Sequence, residues 1–276
     1  MKLIFKRSWC LFLALCLICA VIPPGLTARA ADAEPASEYY HAAGLSTGVQ
    51  NIVKRAKQMT MIKWTPQKDI AGWDNAVIYK AGVTYTGLPY GRPIDGEYIP
   101  WETSLEEFLD MVDDSTSKMY TACSTNGKQA PYCSLDCSAF VSWAWGLSSR
   151  QYTWDLPDYA TKISETSYEK MEVGDCLSRW GYHVVLVTDI IYDASGTIVA
   201  VEISEADGNA PGALCRSVWY GLGNSLSMAD FQSTYLDDGY ILYRSKTRDS
   251  VTYNHSCASP LDRKPIGIPN RIKTRK

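Results

Sequence analysis

The apolar pattern of this chain changes period partway along, and that change limits its fold more than any other feature. Before residue 147 the stripes are helical. Thr47 precedes Val49, Ile52, Val53, Ala56 and Met59, with Gln50 three residues past that cap position, which predicts an amphipathic helix. Thr103 or Ser104 caps a second helix over 103–113, with Glu106 and Glu107 in its first turn and Leu105, Phe108, Leu109 and Val112 facing inward. Residues 137–147 read as a third, largely apolar helix. Beyond residue 172 the runs become strand-like, over 172–177, 183–191, 197–204 and 239–243. Helices followed by antiparallel strands make an α+β plan. Between them, 72–100 is rich in glycine, proline and tyrosine, the chemistry of loops that line a cleft. Nine tryptophans and eighteen tyrosines, with no internal repeat and no interior linker, predict one well-filled domain over 47–245.

The two ends differ from this body. Lys2, Lys6 and Arg7 precede an apolar stretch from Trp9 to Ile22, and Ala28-Arg29-Ala30-Ala31 follows, so 1–30 reads as a secretory signal peptide. The apolar run is shorter than the ~20 residues of a membrane span, so the expectation is a secreted or cell-wall-associated chain with no stable span after processing. Residues 31–46 form a mobile lead-in. Without 1–30 the chain has four basic residues fewer, and its formal charge goes from -3 to -7. The basic charge is concentrated in 246–276, where eight lysines and arginines face only Asp249 and Asp262. That predicts a flexible basic tail able to meet an anionic wall polymer or a membrane surface, while the acidic body argues against a nucleic-acid groove.

Six cysteines lie beyond the signal segment: Cys123, Cys133, Cys137, Cys176, Cys215 and Cys257. Cys123 and Cys133 flank a turn-rich loop, and in an oxidising exterior they are expected to form a disulfide. With no Cys-x-x-Cys pair and no second histidine nearby, the cysteines do not read as a zinc site, and no metal or other cofactor is expected.

The chemistry centres on Cys137, in Leu135-Asp136-Cys137-Ser138-Ala139-Phe140-Val141-Ser142-Trp143. A thiol with an ordinary pKa of about 8.5 is mostly protonated at neutral pH and needs help to become a nucleophile. The amides and dipole of a helix N-terminus favour the thiolate, and an imidazole can hold its proton. His183 opens an apolar strand after Trp180-Gly181-Tyr182, whereas His41 and His255 fall in the lead-in and the tail. A third residue fixes the imidazole tautomer and orientation. Asp193-Ala194-Ser195-Gly196 reads as a hairpin turn. A three-residue loop pairs Tyr192 with Gly196 and sets Glu205 opposite His183; a two-residue loop sets Ala206 there, with Glu205 one position away. Glu202 falls on the opposite face, and Asp207 and Asn209 are reserves.

Asp136-Cys137-Ser138-Ala139-Phe140-Val141 resembles the Asp-Cys-Ser-Gly-Phe-Val signature of the NlpC-like papain-fold cell-wall peptidases, with Ala139 where glycine is usual. Glu172-Val173-Gly174-Asp175-Cys176-Leu177 resembles their Gly-Asp strand, and His183-Val184-Val185-Leu186-Val187 their histidine strand. Ile203-Ser204-Glu205-Ala206 is more similar to the Ser-Glu segment of the CHAP amidases. Over roughly 80–243 the resemblance implies a papain-like fold, its nucleophile at a helix N-terminus packed on an antiparallel sheet. It also implies a cysteine hydrolase acting on amides of peptidoglycan or muropeptides, either between stem-peptide residues or between muramic acid and L-alanine. Cys137 would be nucleophile, His183 base and acid, and Glu205 orienter. The family's upstream oxyanion tyrosine matches Tyr90, with Tyr85 second, although the span from Tyr90 to Cys137 is longer than usual. Asp136 and Ser138 complete the expected oxyanion and substrate-binding set. Rival readings keep the machinery on another amide or lipid, as hydrolase or acyltransferase, or make the chain a catalytically silent wall-binding module.

Overall fold

A computed structural model describes residues 39–253, except 76, 122, 126 and 127, together with a strand at 272–274. The expected signal peptide, residues 31–38 of the lead-in, Cys257, His255 and most of the tail lie outside the described residues, whereas 39–46, expected to be mobile, hold a sheet strand at Tyr39–His41 and a helix cap at Ser46.

The protein is mixed α and β, built on one large sheet around the histidine strand, His183–Tyr192. One edge of that strand pairs first with Cys176–Arg179 and, farther along, with Tyr39–His41. Its other edge pairs with the glutamate strand, Ile198–Ala206, which in turn pairs with Cys215–Gly221. Ile241–Ser245 and Ala160–Ser164 extend the sheet beyond Cys176–Arg179. Every pairing in this sheet is antiparallel except that of Tyr39–His41 with Ile272–Thr274. The expected strand over 172–177 begins only at Cys176. Before it the chain turns, with Gly174 at φ +90° and the Asp175 amide donating to the Glu172 carbonyl.

Helix α1, Thr47–Met61, is capped by Ser46 rather than Thr47: Ser46 Oγ accepts from the Val49 amide and also donates to Asp249. Helix α2, Leu105–Asp113, has Ser104 and Glu107 in a reciprocal capping box. Helix α3, Cys137–Ala144, is buried on nearly every side. It stops short of residue 147 because Gly146 takes φ +70° and the Gly146 and Leu147 amides turn back to Trp143 and Ser142, a Schellman ending.

The histidine strand divides the core by parity. Val184 and Leu186 pack with Ile52, Ala56, Phe140 and Trp145 beneath α1 and α3. Val185 and Val187 pack on the other face with Phe231 and Tyr235, supplied by α4 (Met228–Phe231) and the turn that follows it. Burial of each large side chain contributes about 1.5–3 kcal/mol, so α3 is held chiefly by this packing.

Apart from α2, residues 63–135 are organised differently, as two- and three-residue ribbons beside an aromatic cluster of Trp64, Tyr79, Tyr85 and Phe108 of α2. Val251, expected in the tail, is buried against the body, and Asn51 donates to its carbonyl, so the packed region runs past residue 245. No helix among the described residues is long and apolar enough to cross a membrane.

Candidate active site

Asp136 caps α3. Its Oδ1 accepts from the Ala139 amide at 2.8 Å and from Ser138 Oγ at 3.0 Å, while Arg150 holds both carboxylate oxygens and Arg92 Nε lies 3.6 Å from Oδ2. The cap sets Cys137 as the first helical residue, where backbone amides have no intrahelical acceptor. Asp136 and Ser138 are both buried and spend their polar atoms on this cap. Expected as substrate-binding residues, they instead fix the start of the helix.

Cys137 is 3% exposed, and its thiol is near enough to the His183 ring for its charge to act on the imidazole. His183 Nε2 lies 2.9 Å from Glu205 Oε2, which leaves Nδ1 for the thiol. Burial opposes a charge on the ring. The Cys137 charge and hydrogen bond, reinforced by Glu205, outweigh that cost and raise His183 to about 10. Glu205 is buried too, and burial alone would raise its carboxyl; hydrogen bonds and charge from His183 and Arg216 reverse this and hold it below its ordinary value. Arg216 Nε donates to Glu205 Oε1 at 2.9 Å and Nη2 reaches Asp207 Oδ2 at 3.1 Å. Asp207 therefore supports the arginine rather than the imidazole, and also accepts from the Asn209 amide.

The cross-strand register differs from expectation while the contact survives. Leu186 pairs with Ser204 and Tyr192 with Ile198, so the loop holds five residues, with Asp193 Oδ1 accepting from the Ser195 and Thr197 amides. Two register irregularities, at 187–189 and 191–192, adjust the rest. Glu205 is thus a diagonal neighbour of His183, two positions from the expected pairing. A shift of two keeps the face, and diagonal neighbours on one face remain within reach. Glu202 faces away, as expected, toward Lys57 and Thr188.

Tyr90 is brought to the thiol despite its distance in sequence. A parallel bridge joins Tyr90 to Leu135, the Gly91 amide donates to the Leu135 carbonyl, and the Tyr90 amide to that of Ala213. Gly208 allows this close approach, since a Cβ there would lie 2.6 Å from the Tyr90 ring. Burial and the charges of Cys137 and Asp136 keep the phenol protonated, with Arg92 hydrogen-bonded to it. Tyr85 is not at the site; its ring packs on Trp64 and Tyr79 and its hydroxyl accepts from the Lys80 amide.

Sequence reasoning missed Arg92, Arg150 and Arg216. Only Arg92, two residues after Tyr90, carried a local signal. The expected Cys123–Cys133 disulfide is not formed: Cys133 is a buried thiol with Thr103 Oγ1 at 3.7 Å and Met111 Sδ at 3.9 Å. Burial pushes the Cys133 thiol up to about 12 and raises Cys176 and Cys215 as well, so these three are poor nucleophiles. Among the described residues, no group of three or more histidine, cysteine, aspartate or glutamate side chains is arranged to hold a metal. In comparisons with family models, curated proteins and solved structures, none matches this chain.

Proposed function

We propose that the chain is an exported, papain-like cysteine hydrolase that cleaves amide bonds in peptidoglycan. The observation that carries the chemistry is the chain of contacts from the Cys137 thiol through His183 to the buried Glu205 carboxylate. The substrate class comes from the resemblance around Cys137 and His183. In this reading Cys137 Sγ attacks the amide carbonyl carbon. The carbonyl oxygen takes up the negative charge facing the Cys137 amide and the Tyr90 hydroxyl, donors of the kind that stabilise an oxyanion. His183 gives its proton to the departing amine as the carbon–nitrogen bond breaks, leaving a thioester. It then takes a proton from water, whose oxygen attacks the thioester and releases carboxylate and thiol. Glu205 keeps the ring oriented and stabilises its charged form; Arg216 keeps Glu205 ionised.

Digestion of purified sacculi with mass spectrometry of the products tests this. Soluble muropeptides carrying newly freed amines are expected from the unmodified chain. Turnover should fall at least about a thousandfold in Cys137→Ala with an unchanged fold by circular dichroism. Equal release by both proteins would sink the mechanism.

A further inference from the structure

Two surface loops beside this site hold exposed aromatic rings that the hydrolytic chemistry does not use. Trp154 is 46% exposed and Trp180 77%, with Tyr152 also exposed. Tyr152 and Trp154 stack with ring centres 4.5 Å apart and planes within 9°, and Trp180 stands 6.1 Å beyond at a 49° tilt. The loops are stitched together: the Gly181 amide donates to the buried Thr153 Oγ1 at 3.0 Å, and the Asp155 amide returns to the Tyr152 carbonyl. Gly181, at φ +67°, permits the tight turn that lifts Trp180 outward. The inner end of the stack is anchored at the reactive centre, because the Arg150 guanidinium lies 4.1 Å from the Tyr152 ring centre and grips Asp136, the residue before Cys137. Trp180 stands three residues before His183.

Exposed apolar surface held in a fixed arrangement marks a binding site. Flat, rigid ring faces suit a flat ligand that offers C–H groups to the negative π face. A pyranose does so on one face while its equatorial hydroxyls stay in water. The arginines nearest the rings each face a carboxylate, Arg150 that of Asp136 and Arg179 that of Asp238 at 2.5 Å, which lessens what they offer an anionic lipid headgroup. We propose that Trp154 and Trp180 form a subsite for the sugar chain of the substrate, a neutral N-acetylated glycan strand lying over the rings while its attached peptide enters toward Cys137. The position of the peptide rests on the hydrolase reading above; the sugar contact does not.

Fluorescence and calorimetric titration of the full chain carrying Cys137→Ala with peptide-free peptidoglycan glycan strands tests the subsite. Saturable binding is expected, weakened about tenfold or more when Trp154→Ala or Trp180→Ala is added. Trp180 is the safer variant, since its ring contributes little to the core. Glycan that fails to bind, or binds both tryptophan variants equally well, overturns the subsite even if the chain digests sacculi. Binding to phosphatidylglycerol vesicles in place of glycan overturns it as well. Tryptophan-dependent glycan binding by a chain whose unmodified form hydrolyses nothing keeps the subsite and removes the hydrolase reading instead.

Discussion

At the scale of single residues, the arrangement separates one cysteine from its neighbours by partner rather than by burial. Cys133, Cys137, Cys176 and Cys215 are all buried, yet Cys137 has an imidazole whose own proton is held by the Cys137 charge and by Glu205. That dependence has a sign. Since Glu205 raises His183, replacing it by glutamine removes a negative charge and lowers the imidazole pKa. The rate of an enzyme using a thiolate–imidazolium pair falls on the alkaline side as His183 loses its proton, near pH 10 from the value above. Glu205→Gln should therefore move that alkaline limb to lower pH and cut kcat about a hundredfold or more, as loss of the orienting carboxylate does in other triads. A pH–rate profile of the variant whose alkaline limb stays in place would show that Glu205 does not act through the ring. Arg216 is the matching positioning residue: Arg216→Met leaves Glu205 buried with one partner fewer, so the carboxylate holds the ring less firmly and kcat should fall by a smaller factor than in Glu205→Gln, without the downward shift of the alkaline limb.

At the scale of elements, the start of α3 is the joint between stability and chemistry. Asp136 satisfies a helix-end amide and two arginines at once, so Asp136→Ala removes a cap and strands the largely buried Arg150. The expected loss is about 3 kcal/mol, read as a lower urea midpoint with an unchanged slope. Asp136→Asn, which can still cap, should recover about 1 kcal/mol of it. This element was legible in the sequence because the run from Cys137 is largely apolar, although the capping role of Asp136 was not. Face was legible too, since alternation fixes it: Glu205 and Glu202 separate as the period of two demands. Register was not. It depends on the length of the loop at Asp193 and on two irregularities that leave no trace in a hydrophobic pattern. The strand Cys215–Gly221 escaped for a different reason. Arg216 answers Glu205 and Ser217 answers Ser204 and Lys57, so its polar residues face buried polar partners instead of solvent and the alternation disappears. Outside α2, residues 63–135 are opaque because their ribbons are too short to show any period. Backbone hydrogen bonds and aromatic packing hold them, and the bridge from Tyr90 to Leu135 closes a long excursion that spacing alone cannot reveal.

At the scale of the whole molecule, the α+β plan divides labour among parts distant in the chain: the helix supplies the thiol, the sheet its base and carboxylate, and the irregular region the tyrosine and Arg92. The sheet must then hold its strands in fixed relation, and its first strand is tied by a contact to a titratable ring. His41 Nδ1 lies 2.7 Å from Asp189 Oδ2 on the histidine strand. The hydrogen bond to Asp189 raises His41 above 6.5; partial burial opposes it, and the charges of Asp189 and Glu202 add to it. Because the folded value exceeds the unfolded one, this contact stabilises the fold fully below about pH 6.5, and its contribution is lost as pH rises through the folded value. Thermal midpoints measured from pH 6 to 9 should therefore decline, with unfolding beginning at the Tyr39–His41 edge, where amide exchange should quicken first. In Asp189→Asn the amide oxygen can still accept from the Ile190 N–H, but the charge is gone, so the midpoint should be lower at pH 6 and should decline less steeply to pH 9. His183 contributes in the same direction, since its folded value near 10 exceeds the unfolded 6.5, so part of the decline persists across this whole range in Asp189→Asn. An undiminished slope at neutral pH in the variant would mean that the His41 contact does not govern how firmly the sheet edge is held.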